Sequence, residues 1–312
     1  MQLTTLLALS LLLAACGGNS GAWWGPGSYQ GNNSTHQIIA RGGLIIQASP
    51  VLAPALQAML EAFLKARKLN VPIVFDFSSA KIIANNANVQ ADSDLLITDN
   101  SQTMIDARNL GFTRSIGTPL ARDYLSVILP PANPGKIHTL QDLARPGLRY
   151  LGILPNGGLY RHIQTTLESM LLDPTFGPHY AARVYGNLIQ NYTDGLSAAR
   201  ALAVSSPPGD FAIVYHTDYL EVQKERGARS LLTLSIPTPF NPPILMLAAI
   251  TGQASNPTLA QQFTDFMRSS QGQKIWTQYG FQPPSSRKTH SSLVEEGEHQ
   301  VPSNRTGLAF WS

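Results

Sequence analysis

The chain has 312 residues, and only 13% of them are charged, against roughly a quarter in an ordinary soluble domain. A hydrophobic fraction of 43% is enough to build a core, and a length slightly above 300 residues favours two domains or two lobes. The formal net charge is +3, and no cluster of Lys and Arg is interleaved with aromatic residues, which argues against a nucleic-acid-binding protein. Cys16 is the only cysteine, so an intrachain disulfide and Cys-based zinc or iron–sulfur sites are excluded.

The first 40 residues contain no charged side chain, since all 22 basic and all 19 acidic residues come later. Residues 6–15 form an apolar stretch of signal-peptide length that is too short to span a bilayer as a mature helix. The stretch ends in Leu-Ala-Ala-Cys-Gly, which resembles the lipobox of bacterial lipoproteins. The resemblance implies a signal peptide at residues 1–15 and a lipid anchor on Cys16. Residues 16–40 are rich in Gly, Ser and Asn, which predicts a flexible tether.

From about residue 41 to residue 281, short apolar runs alternate with segments of helical period, which is typical of α/β architecture. Strands are predicted, in chain order, at residues 44–46, 71–75, 95–97, 125–129, 150–154, 211–215 and 244–250. Helices are predicted from Ser49-Pro50 to residue 67, from Gly157-Gly158 to about residue 172, and from Asn256-Pro257 through residue 267. Ser270 and Gln273 have the spacing of a capping box for a last helix. Residues 282–312 are polar and without a period, which predicts a disordered tail.

Three positions that follow predicted strands are candidate anion sites: Ser49, the pair Ser78-Ser79, and Gly157. Each is expected where a strand gives way to a helix, and a helix N-terminus presents unpaired N–H groups and the positive end of the helix dipole. Serine also caps helices in proteins that bind no anion. The pattern alone therefore does not separate a binding site from ordinary capping.

Six segments carry a resemblance to one family. They are Gln47-Ala48-Ser49, Phe75-Asp76-Phe77-Ser78-Ser79, residues 92–99 (DSDLLITD), residues 154–160 (LPNGGLY), residues 211–215 (FAIVY), and residues 263–281 with Gly272-Gln273 and Tyr279-Gly280-Phe281. Their order and spacing are similar to those of the periplasmic molybdate-binding proteins, the solute-binding subunits of molybdate/tungstate ABC importers. The resemblance covers about residues 43–281.

The resemblance implies the type II periplasmic-binding fold, an α/β structure with two lobes. Each lobe is then a mixed sheet flanked by helices, and the ligand cleft lies between the lobes. Residues 41–122 together with 238–281 are expected to form lobe 1, and residues 123–237 lobe 2. Two crossings between the lobes would form the hinge.

The family binds a tetrahedral oxyanion with neutral groups, namely the hydroxyls of two serines and a tyrosine together with backbone N–H groups. The residues carried over are Ser49, Ser78 with Ser79 as the register alternative, and Tyr215 for the hydroxyls, and Gly157 and Thr193 for the backbone donors. Charge-assisted hydrogen bonds from such donors stabilise a buried dianion without Lys or Arg. No cofactor and no metal, other than that of the oxyanion itself, is therefore expected.

The hypothesis is a monomeric, lipid-anchored extracytoplasmic protein that captures molybdate or tungstate and delivers it to an ABC permease with its ATPase. Another oxyanion, sulfate or phosphate, is the alternative among binding proteins. An alternative from another class is a serine hydrolase, because Ser78-Ser79-Ala80-Lys81 matches Ser-x-x-Lys, with Ser78 and Lys81 in the catalytic positions. The companion Lys-Thr-Gly motif of those enzymes is missing, since the tail has Lys288-Thr289-His290 instead.

Overall fold

The structure of the protein is a computed structural model, which describes residues 22–23, 42–77, 93–155 and 157–284. Some predicted features lie outside these ranges. They are the signal peptide, the lipidation residue Cys16, most of the tether, the candidates Ser78, Ser79 and Lys81, and the tail from residue 285. Within the described ranges, no helix combines the length and the apolar character needed to cross a membrane.

Strands and helices alternate along the described chain. The strands are β1 (Ala22–Trp23), β2 (Leu44–Ala48), β3 (Ile73–Asp76), β4 (Leu95–Thr98), β5 (Thr118–Asp123), β6 (Leu125–Leu129), β7 (Tyr150–Ile153), β8 (Leu188–Tyr192), β9 (Phe211–Tyr215), β10 (Leu232–Ser235) and β11 (Ile244–Ile250). The α-helices are α1 (Ala53–Arg67), α2 (Ser101–Asn109), α3 (Gly158–Met170), α4 (Tyr180–Gly186), α5 (Gly195–Leu202), α6 (His216–Arg226), α7 (Pro257–Arg268) and α8 (Ser270–Gln278). Short 3-10 helices lie at Pro50–Leu52, Gln141–Ala144 and Thr238–Phe240.

The strands form two sheets, with the orders β1-β3-β2-β4-β11-β5 and β10-β6-β9-β7-β8. In the first sheet β2 is parallel to β3 and β4, and β11 is antiparallel to β4 and β5. In the second sheet β7 is parallel to β8 and β9, and β6 is antiparallel to β9 and β10. Both sheets are mixed and flanked by helices, so the predicted two-lobed α/β class is confirmed.

The central strands of both sheets are buried on both faces. Every residue of β4, β6, β7 and β9 is buried. Helix α1 covers the first sheet with an apolar stripe that includes Leu56, Met59 and Phe63. Strands covered on both faces read as continuous apolar runs. These strands are accordingly the ones that the sequence predicts.

The strands that the sequence analysis misses all lie at sheet edges, namely β1, β5, β8 and β10. Strands β8 and β10 end the second sheet, and most of their residues are exposed. An exposed edge strand needs no apolar run and leaves little pattern in the sequence. Strand β1 lies within the predicted tether and pairs antiparallel with β3 at the edge of the first sheet.

The predicted capping box of the last helix is wrong by one residue. Ser269, not Ser270, is the N-cap of α8, and its hydroxyl accepts a hydrogen bond from the Gly272 N–H at 3.2 Å. The Gln273 side chain does not reach back to the cap, because its amide donates to the carbonyl of Leu120 at 2.9 Å. Helix α8 is thereby bound to β5 of the first sheet.

Two stretches of chain cross between the sheets, and one side chain joins them. The first crossing lies between β5 and β6, and the second lies between β10 and β11. Asn241 in the second crossing accepts from the Leu125 N–H at 3.0 Å and donates to the Leu125 carbonyl at 2.9 Å. Beside it, the Asp123 carboxylate accepts from the Tyr124 N–H and from the Thr217 hydroxyl, each at 2.7 Å. The two bonds of Asn241 hold the crossings side by side, and the bond from Thr217 ties the end of β5 to α6.

Phe263 tests the core of the first lobe. Its ring centroid lies 5.1 Å from that of Phe63 and 6.4 Å from that of Phe75, and the side chain is fully buried. We expect Phe263→Ala to lower the free energy of unfolding by about 3–5 kcal/mol, because it removes apolar contacts and leaves a cavity. Urea denaturation measures the change. The control Leu172→Ala, at a position 87% exposed, should stay within about 0.5 kcal/mol of wild type.

Asp123 makes stability depend on pH. Burial raises its pKa from 3.8 to about 7. The folded protein then keeps a proton that the unfolded chain releases, so the free energy of unfolding should fall as pH rises from about 4 to about 7. Burial raises the pKa of Asp218 as well, which acts in the same direction.

The permanently neutral Asp123→Asn variant should lose less thermal stability than wild type between pH 5 and pH 8. Melting temperatures measured by circular dichroism across this range test the difference. The control is Asp106→Asn, on the exposed face of α2, which should follow the wild-type curve. Equal slopes for wild type and Asp123→Asn would contradict the assignment.

Candidate functional site

A cavity of about 420 Å³ lies where the two sheets face each other. Four of the predicted site residues line it, namely Ser49, Gly157, Thr193 and Tyr215. Ser49 belongs to the first lobe and the other three belong to the second. The chain therefore brings residues from four separate segments to one place.

The parallel strands account for this arrangement. Strands β2 and β4 are paired in parallel, so Ser49 after β2 and Asp99 after β4 lie at the same edge of the first sheet. The Ser49 N–H donates to the carbonyl of Ile97 in β4 at 3.0 Å, which ties the two strand ends together. In the second sheet, β7 and β9 are parallel, and they lead to Gly157 and Tyr215. Ligands of open α/β sheets bind outside such carboxyl ends.

The carboxylate of Asp99 lies between the two predicted hydroxyl donors. Ser49 Oγ donates to Asp99 Oδ1 at 2.6 Å, and the Tyr215 hydroxyl donates to Asp99 Oδ2. The Asp99 N–H donates in turn to Ser49 Oγ at 3.3 Å. Asp99 is 6% exposed and Tyr215 is 3% exposed. Ser49 lies at the N-cap position of the 3-10 helix, as predicted, but its hydroxyl binds Asp99 instead of capping.

The N-terminus of α3 approaches the same carboxylate. Gly157 is the N-cap, in extended conformation and without a side-chain cap, and Gly158 is the first helical residue. A Cβ atom at Gly158 would lie 2.5 Å from Asp99 Oδ2, whereas a Cβ atom at Gly157 would meet nothing within 4 Å. Glycine at position 158 thus permits the close approach of a negative group to the positive end of the helix dipole.

Thr193 lies at the cavity wall, before helix α5. Asp194 is the N-cap of α5, and its Oδ1 accepts from the Ser197 N–H at 2.7 Å. Its Oδ2 accepts from the hydroxyls of Thr193 at 2.8 Å and Ser197 at 3.0 Å. The Thr193 hydroxyl is thus engaged by its neighbour.

Burial controls the protonation of Tyr215. It raises the pKa of the phenol well above its usual value of 10, and the negative charge of Asp99 raises it further. Tyr215 therefore stays protonated at neutral pH and remains a hydrogen-bond donor. The Tyr215 hydroxyl can therefore donate a hydrogen bond to an anion, as the Ser49 hydroxyl can.

The charges around the cavity are mostly acidic. Asp99, Asp194, Asp218 and Glu221 line it, and Arg200 is the only basic lining residue among those that the structure describes. The Arg200 guanidinium is engaged by Glu225, with Nε 3.0 Å from Oε2. Asp218 Oδ2 is buried without a hydrogen-bond partner. Across residues 42–77, 93–155 and 157–284, no group of three His, Cys, Asp or Glu residues is arranged to hold a metal ion.

The sequence analysis does not identify Asp99 as a residue of the candidate site. The residue ends the segment DSDLLITD, which was used only for its resemblance to a family motif. Two signals point to it: an acidic residue directly after a buried strand, and the parallel pairing of that strand with the one before Ser49. The second signal needs the sheet order, which a single sequence does not show.

Comparisons with known proteins agree with this architecture. Residues 44–282 match a family described as bacterial extracellular solute-binding protein. The molybdate-binding protein ModA of Mycobacterium tuberculosis is 26% identical over 289 residues, which cover 90% of this chain and 98% of that protein. Two solved structures share the fold. They are the periplasmic molybdate-binding protein of Azotobacter vinelandii (TM-score 0.59, 16% identity, 78% of this chain and 100% of that chain) and the sulfate-binding protein SubI of M. tuberculosis (TM-score 0.65, 19% identity, 77% and 86%).

The family match covers strands β2 to β11 and the cavity between the two sheets, from the first residue of β2 to the residue after Phe281. The similar solved structures include proteins whose names state that they bind molybdate or sulfate. From its sequence match and its two-lobed α/β structure, the chain belongs to the family of bacterial extracellular solute-binding proteins.

Proposed function

We propose that this protein binds a tetrahedral oxyanion, molybdate or tungstate, in the cavity between the two sheets. One observation carries the proposal: the hydroxyls of Ser49 and Tyr215 and the N-terminus of α3 converge on a single carboxylate, that of Asp99. A carboxylate and a tetrahedral oxyanion both accept hydrogen bonds through negatively charged oxygens. A donor set that holds one therefore suits the other.

The donors are neutral, which fits a ligand that brings its own full charge. Hydroxyl and backbone N–H groups at a helix N-terminus stabilise an anion without a fixed cation. In this proposal Gly157 and Thr193 contribute N–H groups, and Ser78 or Ser79 supplies a further hydroxyl. The similarity to the ModA protein of M. tuberculosis supports molybdate as the ligand.

Sulfate is the second candidate, and phosphate is a third. The fold likeness to the sulfate-binding protein SubI keeps sulfate in consideration. The same neutral donors suit any of these anions. The choice among them therefore depends on the size of the cavity and on the number of protons that the anion carries.

The remaining parts of the hypothesis follow from a transport role. The protein would act outside the cytoplasm as a monomer, anchored to a membrane through lipidated Cys16, and would deliver the oxyanion to an ABC permease and its ATPase. The bacterial extracellular solute-binding family supports an extracytoplasmic binding role in preference to catalysis.

Oxyanion affinity tests the site. We expect molybdate or tungstate at 100 times its Kd to add about 2.7 kcal/mol to the free energy of unfolding, seen as a rise in melting temperature. Ser49→Ala and Tyr215→Phe should each weaken binding by about 1.5–3 kcal/mol, measured by titration calorimetry, because each removes a hydrogen bond to a charged group.

Ser205→Ala is the matched control for these variants. It makes the same change as Ser49→Ala at an exposed position that does not line the cavity. Its Kd should stay within about twofold of wild type, since an exposed hydroxyl away from the cavity makes no bond to the proposed ligand. No thermal shift with molybdate, tungstate, sulfate or phosphate would contradict an oxyanion-binding function.

Cys16 tests the membrane anchor. Cys16→Ser, expressed in a bacterium that processes lipoproteins, should leave the membrane fraction and appear in the soluble extracytoplasmic fraction. Buried acyl chains contribute about 0.8 kcal/mol per CH₂ group to membrane binding, and the variant lacks them. Fractionation followed by immunoblotting measures the change. A variant that stays in the membrane fraction would show that another segment provides the anchor.

A further inference from the structure

The carboxylate of Asp99 occupies the donors that the proposed ligand needs. Its Oδ1 accepts from Ser49 in the first lobe, and its Oδ2 accepts from Tyr215 in the second. Gly158 at the start of α3 lies directly against Oδ2. Asp99 therefore occupies both described hydroxyl donors and lies beside the N-terminus of α3.

A hydroxyl group has one proton, so it donates one hydrogen bond at a time. The hydroxyls of Ser49 and Tyr215 both donate to Asp99. A ligand oxygen can receive these two hydrogen bonds only after the Asp99 carboxylate has released them. Occupation by Asp99 and occupation by an oxyanion are thus mutually exclusive at these atoms.

The negative charge of Asp99 also opposes an oxyanion at this place. Among the described residues, the ion pairs involve Asp142, Asp210, Glu221 and Glu225, and none involves Asp99. Arg200, the basic residue of the described cavity lining, is paired with Glu225. A dianion beside an uncompensated carboxylate is repelled, and the repulsion is strong where water is excluded.

The backbone on both sides of Asp99 is held in place. The Asn100 N–H donates to the Thr98 hydroxyl at 3.2 Å, and the Asn100 side chain caps α2 by accepting from the N–H groups of Gln102 and Thr103. The His162 ring donates from Nε2 to the Asp99 carbonyl at 2.9 Å. Rotation of the Asp99 side chain into the cavity would release the donors without moving this backbone.

We propose that Asp99 determines the affinity and selectivity of the site by competing, as an internal carboxylate, with the oxyanion for Ser49, Tyr215 and the N-terminus of α3. The inference rests on the proposed function. It assigns to Asp99 the role of a competitor, which differs from that of an acceptor for a proton on the ligand. Both Asp99 oxygens already accept hydrogen bonds from the hydroxyls of Ser49 and Tyr215. They therefore lie where ligand oxygens would bind. An acceptor for a ligand proton would lie opposite those oxygens.

Substitution of Asp99 tests the competition. Titration calorimetry with molybdate, tungstate, sulfate and phosphate is run on wild type, Asp99→Ala and Asp99→Asn at one pH and ionic strength. We expect Asp99→Ala to bind its preferred dianion at least about tenfold more tightly, because the competing hydrogen bonds and the negative charge are both removed. Asp99→Asn removes the charge but keeps an acceptor, so its affinity for the dianion should lie between those of wild type and Asp99→Ala. If Asp99→Ala does not fold, the near-isosteric Asn variant decides.

Asp106→Asn is the matched control, because it makes the same change in net charge on the exposed face of α2. It should leave every Kd within about twofold of wild type, since exposed charges at a distance are screened. A gain in affinity equal to that of Asp99→Asn would assign the effect to net charge and overturn the proposal.

A double-variant cycle separates competition from general repulsion. In wild type, the Ser49 hydroxyl exchanges one anionic acceptor for another when ligand binds, so the loss of affinity expected for Ser49→Ala is already reduced by the bond to Asp99 that the hydroxyl gives up. In the Asp99→Ala background the hydroxyl has no such acceptor before binding. Ser49→Ala should therefore weaken binding by a larger factor in that background. Equal factors in both backgrounds would contradict competition for Ser49.

The outcomes also separate this inference from the proposed function. If wild type binds an oxyanion and Asp99→Ala binds it equally or more weakly, the competitor role is wrong and the proposed function stands. A loss confined to phosphate would identify Asp99 as an acceptor for a ligand proton. If neither wild type nor any variant binds any of the four anions, the proposed function and the inference fail together.

Discussion

The parallel pairing of β2 with β4, and of β7 with β9, is the constraint on which the candidate site depends. Parallel strands end at the same edge of a sheet, so the residues that follow them become neighbours. Ser49 and Asp99 meet in this way in one sheet, and Gly157 and Tyr215 come together in the other. Because these two edges face the same cavity, Asp99 in the first lobe accepts hydrogen bonds from Tyr215 and His162 in the second.

The electrostatics of the cavity follow from burying donors without a cation. A buried hydroxyl that lacks a partner costs about 1–3 kcal/mol, so buried Tyr215 needs an acceptor in the free protein as well as in the complex. Asp99 supplies that acceptor. The contact with Asp99 that satisfies the hydroxyls of Ser49 and Tyr215 in the free protein therefore opposes ligand binding. Ligand affinity then depends on the difference between the hydrogen bonds to Asp99 and those to the ligand. Burial and the negative charge of Asp99 together raise the pKa of Tyr215 and keep its phenol protonated.

The burial of a strand determines whether the sequence predicts it. Strands such as β4 and β9 are covered on both faces, so their apolar runs identify them. The edge strands β8 and β10 are mostly exposed and leave no such run. The N-cap of α8 was placed at Ser270 instead of Ser269, because two adjacent serines give the same local pattern and only the observed hydrogen bond to Gly272 separates them.

The sequence by itself determined the α/β class, the order of the buried strands, and the positions of Ser49, Gly157 and Tyr215 at strand ends. These features depend on periodicity and on capping residues, which act over a few neighbouring positions. Only the tertiary structure decided that Asp99 lies between Ser49 and Tyr215. Asp99 and Tyr215 are 116 positions apart in the chain, and their contact requires the pairing of strands in two sheets and the packing of one lobe against the other. A local sequence pattern does not predict such a contact, because the contact forms only when the whole fold brings the two residues together.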